Sequence, residues 1–436
     1  MANKLLLVTA SVALFMSTNH HAGAGGKDFA KELVHLNALT GTDATRGALK
    51  MLVDDPKQTK ALLAYAAPLA KKGELSYNAA LVFGLTAAEM KDMKSAEVFF
   101  RVCMDCAVKL QSFEKMKQSY GLLIELNFDY KNYADASRLC RELLELNTED
   151  GKQRLVIRMM VDRFGQLEFR EPQDSFDTAQ RLRPYVYEIY IKSTTKQGKF
   201  DQAIKLVDGL LKKNNDWIDR HLKGWVLREA GKFADAATVY EDVIKQVTDD
   251  RRLEPEEKDI YIERFRYEVS NVYVDLKQID RASEHLEYLV KKRPNDPVFY
   301  NDLGFVWADN NMKLEEAEKL IRKALELDRE RRQQRKGFDP KTDHDNGAYL
   351  DSLGWVLFKQ KKNDEAKKWL IKALEDKNAQ HIEIYDHLGD VHIASGERDL
   401  AIKAWQKGLE VVTDNRRDQE RKVSVERKIE KAKAQK

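Results

Sequence analysis

A small residue followed twelve positions later by an alanine recurs along this chain. Gly389 is followed by Ala401, and Gly354 is followed by Ala366. The two glycines are 35 residues apart, and a fixed period of this length is typical of stacked repeat units. Further copies at the same internal spacing begin at Gly84, Ile124, Gly224 and Ser270. The chain is therefore expected to be an array of one small unit.

Composition and spacing together predict that each unit is a pair of antiparallel helices. The 436 residues include only 8 prolines and 21 glycines, which favours long helices joined by short turns. Small residues suit the place where two helices cross closely, and large residues suit the contact with the next unit. One pair cannot bury its apolar face alone, so neighbouring pairs must stack. The predicted fold class is all-α.

The repeats resemble the tetratricopeptide repeat from about Tyr77 to about Val411. The C-terminal third resembles a narrower group of exported or envelope-associated bacterial adaptors, in which one repeat has an extra residue between its glycine and its alanine. Here Gly304 and Ala317 are thirteen residues apart. The resemblance implies a right-handed superhelical solenoid that binds protein partners and has no catalytic activity. The segments that carry it are Tyr300–Phe305, Glu315–Ala317, Tyr349–Val356 and Asp386–Val391.

The first 24 residues are interpreted as a signal peptide. Lys4 precedes an apolar run from Leu5 to Met16, and small residues follow at Ala22 and Ala24. The run holds about a dozen residues, whereas a helix that spans a bilayer needs about 20. We expect an exported protein that is either periplasmic or secreted, with envelope association as an alternative. No transmembrane segment is expected in the mature chain. An uncleaved membrane anchor is the alternative.

The remaining chain divides by repeat quality. Successive repeat alanines are 46 residues apart between Ala236 and Ala282, and 49 apart between Ala317 and Ala366. The extra residues indicate insertions near 248–259 and 329–345, of which the second is basic and is expected to extend a helix and turn at Gly337. The predicted organisation is a helical segment of unassigned register over 25–76, divergent repeats over 77–183, a regular array over 184–415 and a charged capping helix or tail over 416–436. A degenerate repeat is expected around residues 153–180.

Three cysteines and two histidines are the candidates for chemistry. Cys103 and Cys106 share one helix face, but with Cys140 they supply at most three of the four ligands of a structural zinc site. Packing is the favoured interpretation of the cysteines, with a Cys106–Cys140 disulfide or metal and redox chemistry as alternatives. His387 and His392 are five residues apart, a poor spacing for joint ligation, and are interpreted as packing residues.

A possible calcium loop starting at Asp343 would end on Gly354, where a glutamate is required. Asp345 or Asn346 is instead expected to cap a helix. The sequence contains no phosphate-binding glycine loop, nucleophile elbow or zinc-protease motif. We therefore expect neither an enzyme nor a cofactor.

The resemblance also implies where a partner binds. In this family the first helix of each pair lines a concave groove, and the residues three before and one after the small residue face it. Aromatic groups beside polar ones suit protein recognition, although Trp225 and Trp355 could instead pack between repeats. The groove candidates are His221, Trp225, Tyr267, Asn271, Asn301, Phe305, Asp351, Trp355, Asp386 and Asp390.

The charges at the groove candidates limit the kind of partner segment that is expected. Tyr267, Asn301 and Asp351 stand where capture of a terminal carboxylate requires lysine, so an acidic tail is not expected. Asp351, Glu383, Asp386 and Asp390 make an apolar or basic segment the expected ligand. The net charge of +3 provides no general attraction for nucleic acid. An alternative function is a surface-associated structural protein whose basic insert and tail contact polysaccharide or anionic lipid.

Overall fold

The computed structural model describes residues 29–40, 42–110, 112–145, 175–212, 215–340, 343–376 and 380–434. This part of the chain contains twenty α-helices and no strand. The all-α prediction is confirmed. The predicted signal peptide and most of the expected degenerate repeat lie outside the described residues. None of the described helices is long and apolar enough to cross a membrane.

The chain forms two compact units, residues 1–186 and residues 187–436. The helices are α1 Phe29–Asn37, α2 Thr42–Asp54, α3 Pro56–Lys71, α4 Tyr77–Glu89, α5 Met93–Lys109, α6 Phe113–Asp129, α7 Tyr133–Glu145, α8 Ser175–Lys196, α9 Phe200–Leu211 and α10 Trp217–Glu229. They continue as α11 Phe233–Asp249, α12 Pro255–Asp275, α13 Ile279–Lys292, α14 Pro297–Asp309, α15 Leu314–Gln333, α16 Gly347–Lys359, α17 Asn363–Ala373, α18 Ile382–Ala394, α19 Arg398–Glu410 and α20 Arg416–Ala434.

In the first unit, α4 packs on α5 and α6 packs on α7. Each first helix begins at a side-chain cap: the Ser76 side chain accepts a hydrogen bond from the backbone N–H of Ala79, and that of Ser112 accepts one from Lys115. Phe83 and Phe99 are fully buried, with ring centroids 5.2 Å apart. The divergent repeats predicted from Gly84 and Ile124 are therefore helix pairs, and the first of them encloses an aromatic contact.

In the second unit, α10 to α19 form five successive pairs, and the recurrent spacing marks the crossing within each pair. A methyl group added at Gly354 of α16 would lie 2.6 Å from Leu370 Cγ of α17, and one added at Gly304 would lie 2.8 Å from the Ala317 carbonyl oxygen. Neither separation leaves room for a side chain. The close approach predicted from the glycine-to-alanine spacing is thus present.

Tight turns join the two helices of a pair, and each turn needs one residue with positive φ. In the last pair this residue is Gly396, with a φ of 77°. At the equivalent position in the preceding pair it is Lys361, with a φ of 65°. A side chain in this left-handed conformation is strained, whereas glycine is not.

The insertions lengthen helices at the places where the repeat alanines are too far apart. The first insertion makes α12 a helix of 21 residues, and the second extends α15 to 20 residues before Gly337 turns the chain with a φ of 86°. Arg329 Nε and Arg332 Nη2 donate to Asp345 Oδ1 at 2.6 and 3.2 Å, which folds the insert back onto α15. The predicted helix extension and the turn at Gly337 are both present.

Candidate functional site

The ten groove candidates lie on five successive first helices, and we call the surface they share the first-helix face. Contacts between neighbouring first helices define this face. The ring of His221 in α10 lies 5.5 Å from that of Phe265 in α12. The residues are His221 and Trp225 on α10, Tyr267 and Asn271 on α12, Asn301 and Phe305 on α14, Asp351 and Trp355 on α16, and Asp386 and Asp390 on α18.

Among the ten groove candidates, Trp225 is the aromatic side chain at the contact between α8 and α10. It is half-buried against the small core that contains Ile191 and Leu222. The ammonium groups of Lys196 and Lys192 in α8 lie 5.5 and 6.0 Å from its ring centroid. Cations at this distance are attracted to an indole face, so Trp225 is held in place while part of its ring stays accessible.

In the middle of the face, polar groups are tied to one another. The Tyr267 hydroxyl donates to Asp302 Oδ2 at 2.8 Å, and Asn301 Nδ2 donates to Asp302 Oδ1 at 3.1 Å. Burial raises the pKa values of Tyr267 and Asp302. Asn271 Nδ2 donates to the Tyr267 carbonyl at 3.0 Å. The two asparagines and Tyr267 are therefore engaged within the chain.

Towards the C-terminus, the site centres on a histidine. Trp355 stacks on His387 with ring centroids 3.9 Å apart and an interplanar angle of 13°, and its Nε1 donates to Asp309 Oδ1 at 3.1 Å. His387 Nδ1 lies 2.8 Å from Asp351 Oδ1, and the Phe305 ring lies 6.2 Å away. His387 is only 1% exposed. Its packing role was predicted, but its contact with three groove candidates, Trp355, Asp351 and Phe305, was not.

Two influences on the charge of His387 oppose each other. Burial lowers the pKa of His387, since the imidazolium is removed from water. The neighbouring Asp351 carboxylate raises it, with help from Glu383, and the net direction is upward. The pair is therefore a buried, charge-assisted contact that fixes Trp355 in its stacked position.

The segment predicted as a capping helix or tail is α20, and it reaches the acidic end of the first-helix face. Arg421 pairs with Glu383 and donates to Asp386 Oδ2 at 3.0 Å. Lys428 Nζ donates to Asp386 Oδ1 at 2.6 Å and to Asp390 Oδ2 at 2.7 Å. Asp386 is 3% exposed. Two of the ten candidates are thus covered by the chain's own C-terminal helix.

The same side of α20 also carries apolar residues, and its first turn reaches a distant repeat. Arg416 Nη2 and Arg417 Nη2 lie 3.0 and 3.1 Å from the two carboxylate oxygens of Asp275, at the end of α12. Arg417 Nη2 also donates to the Asn271 carbonyl at 3.5 Å. The buried cluster between α20 and the last repeat consists of Ile382, Ala401, Trp405, Val425, Ile429 and Ala432.

Sequence reasoning did not connect the tail with the groove. Arg421 and Lys428 are seven residues apart, which places them on one side of a helix. Glu383, Asp386 and Asp390 show the complementary spacing on α18. This match was a usable signal. Asp275 offered no such signal for α20, because its partners on that helix lie more than 140 residues away.

The other candidate sites are structural in the described residues. All three cysteines are free thiols. Cys103 and Cys140 are buried, and burial raises the pKa of the Cys140 thiol to about 12. His392 Nδ1 lies 2.6 Å from Glu397 Oε2. Asn346 caps α16 by accepting from the Ala348 N–H at 3.0 Å, which selects it over Asp345 as the cap.

Comparison with known proteins agrees with this architecture. Two tetratricopeptide-repeat family profiles match residues 195–251 and 347–378, which contain the α10–α11 and α16–α17 pairs. The chain therefore contains tetratricopeptide repeats. A TPR repeat-containing protein of Pseudomonas aeruginosa is 26% identical over 197 residues, which are 45% of this chain and 28% of that relative. The chain therefore matches little more than a quarter of the relative's length.

Solved structures of other proteins are similar to parts of the chain. A tetratricopeptide-repeat protein from Parabacteroides merdae is 14% identical, with a TM-score of 0.44, over 71% of this chain and 99% of its own. MamA from Desulfovibrio magneticus is 21% identical, with a TM-score of 0.34, over 45% and 97%. A tetratricopeptide-repeat protein from Thermus thermophilus is 19% identical, with a TM-score of 0.36, over 48% and 98%. At these identities no functional statement about this chain follows.

Proposed function

We propose that this protein is a non-catalytic scaffold outside the cytoplasm, which binds a segment of a partner protein on the first-helix face around Trp225. Tetratricopeptide-repeat proteins in general mediate protein–protein interaction. The observation that carries the proposal is the half-buried Trp225 ring, held between α8 and α10 by Lys192 and Lys196. Tryptophan fixed in this way is a frequent energetic anchor of protein interfaces.

The remaining candidates differ from Trp225 in what is available for binding. Trp355 is 7% exposed and stacked on His387, while Asp386 and Asp390 are paired with α20. The part of the face that supports the proposal best is therefore α10, where it adjoins α8. An apolar side chain of the partner over the Trp225 ring, with polar groups near the two lysines, fits this surface.

Crosslinking of a partner in native extracts tests the proposal. The chain is compared with the Trp225→Ala variant and with Trp369→Ala, which removes an equally large, half-buried ring from the second helix α17. We expect Trp225→Ala to lose the crosslinked partner and Trp369→Ala to retain it. Equal capture by both variants would remove the binding surface from around Trp225.

The proposed location rests on the signal-peptide pattern in residues 1–24. It is tested by fractionating cells that express the whole chain and determining the N-terminus of the protein. A new N-terminus near Gly25 in an extracytoplasmic fraction is expected. A chain recovered in the cytoplasm with Met1 intact would contradict this part of the proposal.

The alternative, contact with polysaccharide or anionic lipid through basic segments, has less support. Arg329 and Arg332 of the insert are paired with Asp345, and Arg421 and Lys428 of the tail are paired with Asp386. Binding through basic segments would collapse as salt rises, because exposed charges are screened. Binding anchored on Trp225 should persist.

A further inference from the structure

The acidic surface of α18 requires cations. Glu383, Asp386 and Asp390 follow one another at spacings of three and four residues, so they share one side of the helix. Asp386, in the centre, is 3% exposed. A carboxylate that is buried beside two others is strongly destabilising unless positive groups compensate it.

The first-helix face receives these cations from α20. Arg421 and Lys428 lie on the same side of α20, two turns apart, and together they contact both oxygens of Asp386. Each also pairs with an outer carboxylate, Arg421 with Glu383 and Lys428 with Asp390. Between them Val425 points into the apolar cluster with Ile382 and Trp405. The helix therefore binds as an amphipathic, basic ligand would.

The attachment of α20 has two parts of different character. Val425, Ile429 and Ala432 are buried in an apolar contact. The first turn is held by charge instead, through Arg416 and Arg417 on Asp275. Arg416 also lies 4.9 Å from the Phe233 ring centroid. The charged part depends on ionic strength and can be weakened without removing the apolar contact.

We infer that α20 is a self-ligand, which occupies a site for a basic amphipathic helix of a protein partner. The fitting helix carries two cations seven residues apart, as at Arg421 and Lys428, and apolar residues four and eight positions after the first cation, as at Val425 and Ile429. This deepens the proposed function and rests on it, since a protein segment is the ligand in both.

Competition by α20 sets the affinity for such a partner. Only five residues, 411–415, join α20 to α19, and a short linker maintains an effective concentration on the order of millimolar. A partner helix must displace a ligand present at that concentration. Weakening α20 therefore strengthens partner binding, although no contact with the partner is added.

The test measures binding of a fluorescent peptide with the sequence of residues 413–434 to the whole chain. The opened variant is Arg421→Gln with Lys428→Gln. The matched control is Arg427→Gln with Lys431→Gln, which removes the same charge from exposed positions of α20. We expect the opened variant to bind the peptide at least about tenfold more tightly than the wild type or the control, equivalent to about 1.4 kcal/mol.

Two further measurements separate this result from unfolding and from non-specific attraction. The Arg416→Gln, Arg417→Gln variant leaves the apolar contact and the Asp386 pairs in place, and it should bind the peptide more tightly than the wild type to a smaller degree. A peptide with glutamine at positions 421 and 428 should bind the opened variant no more tightly than the wild type. An opened variant that also carries Asp386→Asn and Asp390→Asn should likewise bind the original peptide no more tightly than the wild type.

The inference is overturned if both charge variants bind the peptide no better than the control, or if the glutamine peptide binds equally well. Such a result leaves the proposed function standing as long as crosslinking still depends on Trp225. If crosslinking does not depend on Trp225 but the opened variant binds the peptide tightly, the partner site lies on α18 instead of around Trp225.

Discussion

Trp225 and Trp355 occupy the same repeat position, one residue after the small glycine, yet their surroundings differ. Trp225 is half-buried between two lysines of the preceding first helix. Trp355 is 7% exposed and stacked on the buried His387 of the following one. Repeat position thus determines the face on which a side chain lies. The neighbouring repeat determines whether that side chain remains available to a partner.

The largest expected difference between the two positions is in stability. Replacing a fully buried tryptophan by alanine typically costs about 3–5 kcal/mol, and we expect this for Trp355→Ala because it also removes the contact with Asp309. Trp225→Ala should cost roughly half as much, since its ring is only partly removed from water. Urea denaturation of the two variants measures both changes. Equal losses would contradict the different roles assigned to the two rings.

The contrast extends to α20, which covers the carboxylates at the C-terminal end of the face. Ile429 is 7% exposed in the α20 cluster, so Ile429→Ala should cost about 2–4 kcal/mol locally. We expect amide exchange to accelerate in α18 and α19 but not in α10. Val423, which is 45% exposed on the same helix, is the matched position, and Val423→Ala should leave exchange unchanged. Faster exchange throughout the array would show that α20 stabilises more than the adjacent α18–α19 pair.

A smaller effect is expected on the pH dependence at the Trp355 end. The folded-state pKa of His387 is raised, so its stabilising contribution is complete below the unfolded value of about 6.5 and is lost as pH rises through the folded value. Stability should therefore decrease as the pH rises above about 6.5. Asp351→Asn removes the carboxylate that raises the pKa of His387 most, so this decrease should weaken or reverse. Identical slopes for the two proteins would exclude the His387–Asp351 pair as the cause.

The smallest expected effect concerns the turns within the two C-terminal pairs. Lys361 holds a positive φ that glycine adopts without strain, so Lys361→Gly should stabilise the α16–α17 pair by about 0.5–1 kcal/mol. Gly396→Ala at the equivalent turn should destabilise the next pair by about 1 kcal/mol. Thermal unfolding of both variants checks the opposite signs. A loss of stability in Lys361→Gly would indicate that the lysine side chain contributes a contact of its own.

The fold could be predicted from local signals that recur. The spacing from Gly354 to Ala366 reports a helix crossing, and that crossing is present because Leu370 fills the space beside the glycine. The two insertions were located by the same arithmetic. These features lie within one unit or between neighbouring units, so comparison of successive repeats is enough to reveal them.

The site was less predictable because its contacts join repeats that are far apart in the sequence. Asp386 and Asp390 were expected to attract a basic segment, and the segment that pairs with them belongs to this chain. Trp355 and Trp225 were both predicted to line the groove because they share one repeat position. The sequence does not show that a buried histidine stacks on Trp355 alone of the two. Both outcomes depend on packing between elements, which spacing within a repeat does not encode.

The bond from Arg417 to Asp275 joins residues 142 positions apart. Repeat arrays ordinarily fold and unfold by propagation between neighbours, so that either end frays independently. A contact of such long range adds a loop-closure step to assembly. The chain loses the entropy of this step only when the contact forms, after the intervening helices have folded. The C-terminal unit should consequently complete its folding at Asp275. Because the Arg417 side chain is partly exposed, this ion pair adds little stability and should open early when the unit unfolds.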